Sequence, residues 1–308
     1  MTFALIRHVD LPEHKAKGGF DHAAVHAASG HVYVAHTAND AVDVFDREKY
    51  LFSIPNLTGV AGALVSDEAQ LIFSSNRGEN TVGIFAPAAS PEVTKVAVGV
   101  RPNGLAYDHG RKLLLAANVG DPAIAHSYTL TMVDVGARAV KASIEVPGRT
   151  RWTVFDPHAE VFYVNISDPA VIVVVDAKKP TEIARTIAIP AAGPHGLDLD
   201  GATGRLFCAC DAGVLVTLDA RSGKVLDEKP LSGAPDVIFF NRPRQQLYVA
   251  IGDPGVVDVF ATAPMAKLAT IKTEPGAHTT ALSSAGDRLY VFLPRTHRAA
   301  IYEPKIPA

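Results

Sequence analysis

Leu247-Tyr248-Val249-Ala250 is followed, five residues later, by Val256-Val257-Asp258-Val259-Phe260. Each run is short, β-branched or aromatic, and without helical periodicity, and Gly252-Asp253-Pro254-Gly255 supplies the turn between them. That pattern predicts two antiparallel strands joined by a tight loop. The first strand recurs as Val32-Tyr33-Val34-Ala35, Leu71-Ile72-Phe73-Ser74, Leu113-Leu114-Leu115-Ala116, Phe162-Tyr163-Val164-Asn165, Leu206-Phe207-Cys208-Ala209 and Leu289-Tyr290-Val291-Phe292. The second recurs with it, as AVDVFD at 41–46, TVGIFA at 81–86 and VIVVVDA at 171–177. A further strand follows in VTKVAVG, VKASIEV, ARTIAIP and AKLATIKT, and a turn plus strand precedes each unit, as in RPNGLAYD and GPHGLDLD.

Aligning the units places equivalent residues at Asp21, Ala61, Asn103, Arg151, His195, Asp236 and His278, with spacings from 40 to 48 residues. Four short strands in a repeat of ~40–50 residues define propeller blades. The expected fold is therefore all-β, a seven-bladed β-propeller with four antiparallel strands per blade. Blades start near 20, 60, 102, 150, 194, 235 and 277, and residues 1–308 form a single domain. The seventh unit is too short to hold its outermost strand. The N-terminal segment, roughly Phe3 to Leu11, is expected to supply it, closing the ring and removing an open sheet edge.

The Lys and Arg total of 29 against 32 Asp and Glu gives a net charge of −3, which excludes the basic character of a nucleic-acid binder. No apolar run reaches the ~20 residues of a membrane-spanning helix. The N-terminus lacks the apolar core of a secretory signal, so a cytoplasmic location is expected. Cys208 and Cys210, two apart on a strand, read as small buried apolar residues. Asp46, Asp134, Asp176 and Asp219, recurring at the end of the third strand, read as turn acceptors.

The repeats ending in LYVA or LYVF, followed by a VDVFD-type strand, resemble the YVTN-type and NHL-type propellers over nearly the whole chain. That resemblance implies the fold and leaves function open, because propellers carry many activities. In such a ring, the loop before each innermost strand and the loop between strands two and three open on one face. His22, His36, His195, His278 and His297 all fall on it. Seven radial positions converge on the axis, and Asp21, His22, His195, Asp236 and His278 are nitrogen and oxygen donors suited to one divalent metal, Ca, Mg, Mn or Zn. The PNG turn at Asn103 and the PDV turn at Asp236 resemble calcium-ligand turns of gluconolactonase-type propellers, which implies Asn103 as a further ligand. Pro194-His195-Gly196 resembles the PHG turn of streptogramin-lyase-type propellers.

The function expected from this ring is a metal-assisted hydrolase or lyase acting on a small polar ester or lactone. His195 or His278 serves as base, and Arg151 steadies developing negative charge. Trp152, His36, Asn118, Arg295 and His297 are expected to contact substrate, with a plug in the channel the slightly favoured reading of Trp152. The alternative is a non-catalytic propeller that binds a small ligand or a protein partner. A third reading is a His-rich redox metal centre.

Overall fold

The computed structural model describes residues 3–304. It is a ring of seven four-stranded antiparallel sheets, and no α-helix occurs among the described residues. The innermost strands begin at Phe20, Val60, Pro102, Thr150, Pro194, Pro235 and Thr280. As expected, Phe3–Asp10 is the outer strand of the seventh blade, paired antiparallel with Arg298–Pro304. First and last strands of the chain thus share a sheet, and the ring has no free blade edge at its seam.

Burial explains the strand pattern. The second and third strands of a blade are covered on both faces by neighbouring blades. Val32–His36 and Ala41–Phe45 are accordingly buried at every position, which their near-continuous apolar sequence anticipates. Outer strands keep one face in water, and Val225–Pro230 alternates half-buried with exposed. Among the described residues the core divides into seven apolar clusters, one per blade interface. Tyr33 of the first blade, for example, packs with Ile72 and Phe85 of the second.

Cys208 and Cys210 are buried free thiols with Sγ atoms 3.8 Å apart, lying in the interface of the fourth and fifth blades. The repeated third-strand aspartates are turn acceptors, Asp46 taking the N–H groups of Glu48 and Lys49 and Asp176 that of Lys178.

Candidate functional site

The seventh innermost strand, Thr280–Leu282, pairs regularly just after His278, and the other six open with an irregularity. The first residue pairs with the end of the second strand (Phe20 with His36, Pro102 with Asn118, Pro194 with Cys210), and the next residue is left out of the ladder. A bulge re-aims the residue it releases. Six of the residues aligned from sequence therefore share one level at the upper mouth of the central channel, and His278 joins them from the loop before its strand, 3.9 Å from Asp236. Glycine follows three of them for a packing reason. A Cβ at Gly62 would lie 2.7 Å from Asn103 O, one at Gly104 2.7 Å from Arg151 O, and one at Gly196 2.4 Å from Asp236 O. In PNG and PHG the glycine lets the next blade's ring residue approach.

The ring splits into two arcs. Ala61 leaves its blade without a polar group at this level. Arg77, from the loop after the second strand of the same blade, reaches across the space and donates to Asn103 Oδ1 at 2.7 Å and Asp21 Oδ2 at 3.4 Å. On the other arc His195 Nδ1 donates to Asp211 Oδ1 at 2.7 Å, and its Nε2 lies 3.3 Å from both Asp236 Oδ1 and Arg151 Nη1. His278 directs Nε2 toward Asp236 Oδ2 at 3.9 Å and Nδ1 to the Gly276 carbonyl at 2.8 Å. Asn165 donates to the carbonyls of His195 and Gly196 and braces this blade from the one before it.

Burial alone would push His195 down, but the charge of Asp236 and hydrogen bonds to Asp211 and Asp236 outweigh it, and its pKa is pushed up to about 9. Burial alone would raise Asp236; His195 first, then His278 and His22, hold it well below the usual carboxylate range. His195 is thus a cation at neutral pH. Its contribution to stability is fully present below its ordinary value near 6.5 and is lost as pH rises through about 9. The stability lead of wild type over His195→Gln, read from urea unfolding, should shrink by roughly 3 kcal/mol between pH 6 and 10. A constant lead would show that the ion pairs carry no net energy.

The expected metal donors divide, with His195, Asp236 and His278 on one recess and Asp21 and Asn103 on the other arc. Among the described residues no group of three or more His, Cys, Asp and Glu side chains stands ready to hold an ion. Asp21 and Asn103 are engaged by Arg77, and His195 lies beside Arg151. His22 lies against Trp152, their rings 4.1 Å apart. Burial lowers the His22 pKa, with Asp21 and Asp236 opposing. A cation placed among these donors would meet two guanidiniums at close range.

The expected substrate contacts divide differently. His36 is fully buried, with Nδ1 on Asp43 Oδ2 at 2.6 Å and Nε2 on His14 Nδ1 at 2.7 Å. It faces the blade interior rather than the channel mouth. Asn118 is likewise fully buried, donating to Thr129 and Thr131 of the adjacent strand. His297 packs on the His14 ring at 4.3 Å, away from the axis. Arg295 is exposed on the rim, its backbone N–H bound by Glu274. Trp152 does reach the axis. With glycine at the equivalent position in the second, third and fifth blades, the rings of His22 and Trp152 meet across the channel, and Trp152 sets its edge against Phe239 at 6.4 Å. Below this pair the channel widens into a cavity of ≈ 820 Å³ that reaches His109 and Glu68, on the face from which no function was expected.

Above it, a recess of ≈ 600 Å³ is lined by His195, Asp211, Asp236, Asp253 and His278 with the backbone around Pro235. Asp211 enters this site from the loop after the second strand, as Arg77 does on the other arc. Arg149 and Arg101, just ahead of their innermost strands, add charge at the same mouth. Burial, then the fields of Arg151, Arg101 and Arg77, lowers the Arg149 pKa, with Asp211 opposing.

The chain is a seven-bladed β-propeller with a charged centre at one mouth of its channel. No family model and no curated protein matches it. Its fold is similar to a chain in the crystal structure of a mitotic checkpoint complex, with a TM-score of 0.82 and 13% identity over 99% of this chain and 94% of that one. It is similar as well to a chain of the Kuenenia stuttgartiensis hydrazine synthase, with a TM-score of 0.83 and 12% identity over 96% and 98%. At these identities the likeness shows the fold alone. No helix among the described residues is long and apolar enough to cross a membrane.

Proposed function

We propose that this propeller binds a small molecule bearing a carboxylate or phosphate at the upper mouth of its channel. One observation carries this reading: Arg77, Arg101, Arg149 and Arg151 stand together at one side of the mouth, so that burial first and then the fields of the other three lower the Arg149 pKa. Guanidiniums held together repel one another, and a planar or tetrahedral oxyanion relieves that repulsion while accepting forked hydrogen bonds. The Nε atoms of Arg77 and Arg151 are buried without a partner, so donor capacity remains. The adjoining recess, with His195, Asp236 and His278, suits the polar remainder of the molecule. The YVTN- and NHL-like repeats and a cytoplasmic location belong to this reading, and a divalent metal does not.

Calorimetric titration at low ionic strength with malonate and with inorganic phosphate tests it. Wild type should bind at least one of them, more weakly as salt rises, and an Arg149→Gln, Arg151→Gln double variant should lose at least about tenfold in affinity. Absence of binding in wild type, or equal binding by the variant, removes the proposal. Elemental analysis of the purified protein is expected to find no stoichiometric Ca, Mg, Mn or Zn; a full equivalent of any of them would restore the metal reading.

A second reading, a hydrolase or lyase, is favoured by Asp236 standing between two imidazoles, 3.3 Å from His195 and 3.9 Å from His278. Here His278 acts as base and His195, protonated at neutral pH, as acid. Activity on an ester or lactone panel should then disappear in His278→Gln and decline in wild type as pH passes about 9.

A further inference from the structure

The wide lower cavity holds a chemical exception. Three residues beyond each ring position stand Ala24, Leu64, Ala106, Val154, Asp198, Phe239 and Ala281. They are equivalent by register, each pairing with the same position of its second strand: Ala24 with Tyr33, Leu64 with Phe73, Ala106 with Leu115, Val154 with Tyr163, Asp198 with Phe207, Phe239 with Tyr248 and Ala281 with Tyr290. Six blades place an apolar side chain here, and the fifth places a carboxylate. Asp198 lines the cavity together with Trp152, Phe155, Tyr107 and Phe239. Its oxygens accept one N–H each, from Leu199 at 2.7 Å and from Phe240 of the next blade at 2.6 Å. A carboxylate offers about four lone-pair sites, so acceptor capacity is left over.

Among the charged residues of the lining the same sign is in excess. Glu68, Asp108, Glu160 and Asp198 face a single guanidinium, Arg111, which is already committed to Asp108 and Glu160. The volume of ≈ 820 Å³ falls in the usual range for small-molecule sites. Aromatic walls attract a cation through their faces, and an isolated carboxylate in such walls selects a positive group over a neutral one.

We infer that the lower cavity is a binding site for a small organic amine with an apolar or aromatic body, its ammonium held by Asp198 and its body against Trp152 and Phe239. This site lies on the opposite side of the His22–Trp152 pair from the anion centre and is independent of it. Burial raises the Asp198 pKa to about 6, opposed by the N–H groups of Phe240 and Leu199. A bound ammonium would favour the ionised form. Affinity for an amine should therefore fall as pH drops through about 6.

The only tryptophan in the chain, Trp152, reports occupancy by its fluorescence. At pH 7.5, 2-phenylethylamine should change its emission saturably, and 2-phenylethanol and 3-phenylpropanoate should bind at least about tenfold more weakly. Between pH 7.5 and 5 the amine should lose about tenfold in affinity while the alcohol does not change. The other titratable groups on the cavity are His22, Glu68, Tyr107, Asp108, His109, Arg111 and Glu160, with Asp200 on Asp198's own strand. Asp198→Asn separates them from Asp198: it should bring the amine to the alcohol's affinity and abolish the pH dependence. Equal binding of amine and alcohol by wild type, an undiminished amine affinity in the variant, or no saturable change each overturns the inference. The wild-type comparisons hold even if the variant fails to fold.

Discussion

Gly196→Ala is expected to destabilise the protein by about 3 kcal/mol or more, although it adds one methyl group. The added Cβ would sit 2.4 Å from the carbonyl oxygen of Asp236 and 2.8 Å from Cγ2 of Ile238. The carbonyl belongs to the bulged start of the next blade's innermost strand, so it cannot rotate away as a side chain would. Relief requires the fifth and sixth blades to separate at the axis, where His195 and Asp236 meet. Loss of stability should therefore come with loss of the raised His195 pKa, which NMR titration of the imidazole reads. Gly110→Ala is the control: its Cβ would meet nothing nearer than Asp108 Oδ1 at 3.4 Å, and a change within ~0.5 kcal/mol is expected. A neutral Gly196→Ala would return the PHG turn to a purely functional reading.

Asp43→Ala should cost about 3–5 kcal/mol, in the range for breaking a buried polar pair. Asp43 is fully buried, with Oδ2 on His36 Nδ1 at 2.6 Å and Oδ1 accepting from Ser53 Oγ at 2.5 Å. Ser53 Oγ also meets Tyr50 OH at 2.8 Å, and His36 continues to His14. Alanine leaves His36 Nδ1 without its partner and takes one of two partners from Ser53 Oγ, beside a small void. Asp43→Asn keeps an acceptor and should cost less than half as much, by urea unfolding. Binding at the upper mouth should be unaffected in either variant while folded, because this chain of contacts runs inside the first blade and not along the axis. An Asp43→Ala variant with wild-type stability and altered ligand affinity would reverse that assignment and return His36 to the site.

The candidate site was legible in part, and its illegible parts share a cause. The ring positions followed from the repeat, since one bulge recurs at the start of the innermost strands. Arg77 and Asp211 belong to loops between second and third strands, which the repeat assigns to this face, but nothing local told that Arg77 would extend over Ala61 to Asn103 and Asp21. His36 and Asn118 sit beside ring residues in the ladder, and their place at the loop between strands two and three suggested exposure. Each instead points into the interior of its blade, where neighbouring strands supply partners. The metal expectation rested on residue types that favour metals, whereas charge at the mouth depends on guanidiniums brought in from three different segments.

The sequence by itself determined the seven blades, the strand order within them and the closure of the last by the N-terminal strand. These depend on period, alternation and turn chemistry, which are local and repeat. Only the tertiary structure decided which polar side chains meet at the axis, that His22 and Trp152 join across it, and that Asp198 alone breaks an apolar level of the channel. Those are contacts between blades tens to hundreds of residues apart, and they depend on which side of a strand each residue takes. A single displaced residue in a bulge reverses that choice, and no local pattern reports it.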